Sequence, residues 1–155
     1  MGVVQTYPLR VAAEAAQVPT IKYRRWMDTK IVTLRGNDAR TTGSGNPCGL
    51  SRNRILQAAI TEALLKKGVS LSTAAKAALE FSDSDGAGGR EAGQLYPLAK
   101  TVLCLGSANG PVVSNVDFGA SIFDMATDGV TICIELNGIV QYVDAVLNKF
   151  QQRKF

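Results

Sequence analysis

Residues 82–94 (Ser-Asp-Ser-Asp-Gly-Ala-Gly-Gly-Arg-Glu-Ala-Gly-Gln) hold four glycines and no aliphatic side chain larger than Ala. A stretch of this kind supplies nothing to a core and reads as a flexible linker. It also marks a change of periodicity. Before it, apolar residues recur at helical spacing; after it, short β-branched runs alternate with turn residues. The expected class is therefore α+β, with a helical domain over residues 1–82, a linker over 83–94 and a small α+β module over 95–155. The 155-residue length accommodates one ordinary domain or two small ones.

In the first half, Leu9, Ala12, Ala13 and Ala16 recur at i, i+3, i+4 and i+7, which predicts a helix over residues 9–17. Pro19 suits the first turn of a second helix, over residues 19–29. Its inner side would be Ile21 and Trp26, with Lys22, Arg24 and Arg25 outward. Ile31-Val-Thr-Leu reads as a short strand. Residues 35–49 carry five Gly or Pro and read as a loop or β-ribbon tip. Ser51 is the expected N-cap of a third helix, which Gly68 closes after Lys66-Lys67. Ser70 or Ser72 would cap a fourth helix over residues 73–81.

In the second half, Thr101-Val-Leu-Cys-Leu, Pro111-Val-Val-Ser and Val130-Thr-Ile-Cys-Ile-Glu-Leu read as strands, with Asn109-Gly110 as a hairpin turn. A last helix over residues 139–151 bears an apolar stripe of Ile139, Val143, Val146, Leu147 and Phe150. So small a module buries little by itself. The stripe is accordingly expected to pack against a second copy and make a homodimer, the alternative being its own sheet.

The chain has no histidine. That removes Ser-His-Asp and Cys-His catalysis and every His-ligated metal site. Cys48, Cys104 and Cys133 are far apart and form no C-x-x-C pair, so zinc is not expected and the thiols read as small core residues. Asp117, Asp124, Asp128 and Glu135 show no spacing that marks a catalytic pair, and no phosphate-binding loop or nucleophile motif is present. Neither an enzyme nor a cofactor is expected. No apolar run approaches the length of a membrane span. The N-terminus lacks a basic and apolar leader, and reduced thiols fit a cytoplasmic protein.

Charge is polarised. Residues 1–67 hold 11 Lys and Arg against 4 Asp and Glu, a net of +7; residues 68–155 hold 6 against 9, a net of −3. A basic half beside an acidic one points to a polyanionic partner for the first.

Three stretches then carry a family resemblance: Tyr7-Pro-Leu-Arg-Val-Ala-Ala-Glu-Ala-Ala-Gln-Val, Thr20-Ile-Lys-Tyr, and Gly68-Val-Ser-Leu-Ser. In order and spacing they resemble the winged helix-turn-helix of the MerR family of bacterial transcription regulators. There the first helix leads into a Gly-Val turn, the recognition helix opens Thr-(Ile/Leu)-Arg-Tyr, and Gly-(Phe/Met)-Ser-Leu precedes the fourth helix. The likeness covers residues 7–80, about half of the chain. The loop over residues 41–50 is longer and richer in Gly than the family's, and the family's long dimerisation helix is replaced by the Gly-rich segment.

The resemblance implies a sequence-specific regulator of transcription that binds double-stranded DNA, dimeric on an inverted repeat and associated with the nucleoid. Recognition would fall to Thr20, Lys22, Tyr23, Arg24 and Arg25 in the major groove, since Arg can grip guanine through two donors. The wing would offer Arg35, Arg40, Thr41, Thr42 and Ser44. Arg52 and Arg54, in the first turn of the third helix, would take a phosphate, and Arg10 would reach the backbone. A second reading is an excisionase-like architectural factor that bends DNA and recruits an integrase. The C-terminal module would serve dimerisation or bind a protein partner.

Overall fold

The computed structural model describes residues 5–34, 38, 49–106, 110–119 and 132–154. A short strand, β1 (Thr6–Pro8), runs straight into helix α1 (Leu9–Ala16), with the extended backbone of Pro8 as its cap. Gln17 ends α1 in the left-handed conformation (φ 56°), where its N–H and that of Val18 reach back to Glu14 and Ala13. The turn then feeds Pro19 into α2 (Thr20–Asp28).

Residues 31–34 do not form the expected strand. Lys30 is left-handed (φ 61°), and the N–H groups of Ile31 and Val32 both bond to the Trp26 carbonyl. Those donors close α2, and Val32 turns into the core. The strand of this region is instead β2 (Gly49–Ser51), antiparallel to β1 with Tyr7 opposite Leu50.

Ser51 leads into α3 (Arg52–Lys66), and its Oγ accepts from the Arg54 N–H at 3.4 Å, as an N-cap should. Every residue from Arg54 to Thr61 is buried. A helix covered on all sides is the centre of a fold rather than its surface. Gly68, at φ +89°, takes the left-handed turn that ends it, and α4 (Leu71–Ser82) returns along α3.

The second half forms a three-stranded antiparallel sheet of β3 (Lys100–Leu105), β4 (Val112–Val116) and β5 (Ile132–Glu135), in the order β4-β3-β5. The expected β3–β4 hairpin is present; Asn109 of its turn lies outside the described residues. The last helix, α5 (Asn137–Gln152), packs on α1 and α3. Among the described residues, helices α1 to α5 and two small antiparallel sheets make the chain α+β.

Residues 83–94 fold back on the end of α4 rather than running out as an open linker. Arg90 is buried among them, and its guanidinium donates to the carbonyls of Phe81, Glu80, Ser84, Glu91 and Gln94. The rings of Phe81 and Tyr96 lie 5.0 and 5.7 Å from it. One arginine with many donors thus gathers carbonyls from the last turn of α4 and from the segment that follows it. Nor does the stripe of α5 wait for a second copy. Val143 and Leu147 are buried in the same core as α1 and α3, with Ile139, Val146 and Phe150 packed against it. The area that a small module lacks is supplied by the helices of its own chain.

Candidate nucleic-acid interface

Helix α2 has two distinct sides. At about 100° per residue, Thr20, Ile21, Arg24, Arg25 and Asp28 fall on one of them and Lys22, Tyr23, Trp26 and Met27 on the other. The first group is exposed throughout; in the second, Tyr23 and Trp26 are buried and Lys22 and Met27 half-buried.

The inward side is fixed by chemistry as well as packing. Tyr23 is wholly buried and its hydroxyl donates to the Arg54 carbonyl at 3.3 Å. The Lys22 ammonium lies 2.8 Å from Glu62 on α3 and 5.3 Å from the Trp26 ring. Neither residue belongs to the outward face expected of it. Ile21 errs in the other direction: expected in the core, it is 84% exposed. Both changes come from one rotation, because the two large aromatics, three apart, claim the buried stripe and carry Ile21 out with Arg24 and Arg25.

Arg24 and Arg25 form no ion pair with any described residue. Arg10, on α1, is also exposed. The other two arginines expected at phosphate are occupied. Arg52 grips Asp144 of α5 through Nε and Nη2 at 2.6 and 3.0 Å, and donates through Nη1 to the Gly93 carbonyl at 2.7 Å. Arg54 is 2% exposed. It holds the Asp83 carboxylate and Gln57 Oε1, and its Nε lies 3.7 Å from Asp38. Asp38 also accepts the Ser51 N–H at 2.6 Å. A cation that opposes the α3 dipole is thus met by acids distant in sequence, which phosphate would have had to replace. Arg35, Arg40, Thr41, Thr42 and Ser44 lie outside the described residues.

What remains is a short helix that presents a hydroxyl, a branched apolar side chain, two guanidinium groups and, at its end, the Asp28 carboxylate to solvent, anchored from behind by Tyr23 and Trp26. Five N–H donors on each guanidinium suit phosphate oxygens or a guanine edge. The outward Ile21 was missed because exposure of an aliphatic residue leaves no mark in local sequence.

Elsewhere, a groove of about 300 Å³ lies between α1, α3 and the start of α5, over a floor of Ala15, Ala16, Ala59 and Ala63. Among the described residues no three His, Cys, Asp or Glu side chains stand close enough to hold a metal ion. Among them, too, no helix is long and apolar enough to cross a membrane. The chain matches no protein-family model and no curated protein.

Proposed function

We propose that the protein binds double-stranded DNA through the outward side of α2 and acts as a sequence-specific regulator of transcription. The observation that carries this reading is the pair of exposed arginines, Arg24 and Arg25, without an acidic partner among the described residues, on a helix fixed by buried Tyr23 and Trp26. In this reading α1, the three-residue turn and α2 are a helix-turn-helix, with α2 as the recognition helix of a MerR-like domain. The left-handed Gln17 supports it, since that position corresponds to the glycine of the family's Gly-Val turn.

On a duplex, Arg24 and Arg25 take guanine edges or phosphates, Thr20 donates to the backbone, and Ile21 packs on a thymine methyl. Arg10 adds a phosphate contact. The ligand is genomic DNA, so the site of action is the nucleoid. Binding as a dimer to an inverted repeat uses a surface other than the buried stripe of α5.

The test is titration of labelled genomic fragments, selected by repeated rounds of binding, with anisotropy as the signal. Wild type is expected to retain a common sequence with a steep salt dependence. Arg24→Ala and Arg25→Ala each lose ~1–3 kcal/mol of specific affinity where a bidentate base contact goes, with thermal stability unchanged. Absence of any retained fragment at low salt, or wild-type affinity in both variants, defeats the reading.

A further inference from the structure

Cys104 and Cys133 are 29 positions apart in sequence, yet the sheet sets them directly opposite one another on β3 and β5. Their sulfur atoms lie 3.2 Å apart. The position within the ladder matters. At its end the Leu136 N–H donates to the Thr101 carbonyl. Antiparallel bonding alternates, so Thr101–Leu136 and Leu103–Ile134 are hydrogen-bonded pairs, and Cys104–Cys133 falls on a non-hydrogen-bonded pair. There Cα atoms approach to about 4.5 Å and side chains are closest, within the span a disulfide bridges without backbone movement.

The two thiols are also unequal. Leu103, Leu105 and Ile134 face the common core, which leaves Cys104 and Cys133 on the opposite face of the sheet. There Cys133 is half-buried and Cys104 is 3% exposed. Burial first, and then the neighbouring Cys133 sulfur, push the Cys104 thiol up to about 12. An incoming reagent meets Cys133 before Cys104.

We infer that Cys104 and Cys133 form a reversible dithiol–disulfide site whose co-reactant is a low-molecular-weight disulfide. Cys133, as thiolate, attacks one sulfur of the reagent; its S–S bond breaks, and the departing thiolate takes up the proton Cys133 released. Cys104 then gives its proton to water and attacks Cys133 Sγ. The mixed disulfide breaks, and the second reagent thiolate is protonated in turn. Two cysteine thiols are oxidised to one disulfide, and one reagent disulfide is reduced to two thiols. The product ties β5, and the α5 helix that follows it directly, to the central strand.

The site is tested on the full chain carrying Cys48→Ser, equilibrated with mixtures of reduced and oxidised glutathione. The expected result is loss of both thiols together, a mass lower by two hydrogens and a Cys104–Cys133 cross-linked peptide. Closing so long a loop raises the melting temperature by roughly 5–10 °C. With Cys104→Ala added, the reaction stops at a glutathione adduct on Cys133 that thiol reductant removes. Two free thiols at every ratio, or a lasting adduct on Cys133 beside a free Cys104 in the Cys48→Ser protein, overturns the inference. If the Cys104→Ala variant does not fold, the mass and the cross-linked peptide of the Cys48→Ser protein decide alone.

Discussion

Replacing Arg54 by Ala separates a structural arginine from a DNA contact. The guanidinium is 3% exposed and faces the carboxylates of Asp83 and Asp38, whose side chains are 15% and 0% exposed. Truncation takes a guanidinium away from two acids in a site that water hardly enters. Removing one partner of such a buried pair costs about 3–5 kcal/mol. Gln57 Oε1 loses its donor as well, which adds about 1 kcal/mol. Set against a domain stability of about 5–15 kcal/mol, the variant is folded but close to its limit. With a urea dependence of roughly 2 kcal/mol per molar, the denaturation midpoint falls by about 2–3 M. Urea titration at neutral pH, followed by circular dichroism, reads this directly. Arg54→Ala with Asp83→Asn recovers part of the loss, because a buried negative charge is removed together with the guanidinium that faced it. A midpoint within a few tenths molar of wild type, together with weakened DNA binding, would refute the reasoning and return Arg54 to the phosphate role its sequence position suggests.

Leu147→Ala, which opens a cavity beneath α5, should lower stability by about 2–5 kcal/mol with no dependence on protein concentration; a midpoint that shifts with concentration would restore the stripe to a dimer interface. Gln17→Gly relieves a left-handed side-chain residue and should raise stability by about 0.5–1 kcal/mol in the same titration, and a loss would contradict the turn geometry. The Cys104 thiol is held protonated in the fold to about 12, against about 9 ordinarily, so its contribution is complete below pH 9 and lost as pH rises towards 12. Tyr7, raised by burial above its ordinary value near 10, acts in the same direction. Melting temperatures across alkaline pH should decline, and Cys104→Ala should flatten the decline; an unchanged slope would sink the assignment.

The positions of helices α1 to α5 could be read from local pattern because helix formation is a local event. Ser51, Gly68 and the Ala stripe of α1 act within a turn or two of themselves, and each behaves as its chemistry requires. The strands of the second half were legible for the same reason. Residues 83–94 were not: small residues forecast slack, whereas the single Arg90 among them, caged by carbonyls and two rings, holds the segment. In the candidate site, the outward direction of Arg24 and Arg25 was legible. The rotation that buries Tyr23 and exposes Ile21 was not, because it depends on what stands behind the helix.

Sequence alone therefore determined the mixed α+β class, the order of the helices, the Ser51 cap and Gly68 stop of α3, and the concentration of positive charge in residues 1–67. Tertiary structure decided which charges remain free. Arg52 and Arg54 are consumed by Asp144, Asp83 and Asp38, Lys22 by Glu62, and the stripe of α5 by α1 and α3. The physical reason is range. Backbone geometry and capping act over a few residues, while burial and ion pairing act through space, between positions whose separation along the chain carries no information about their approach.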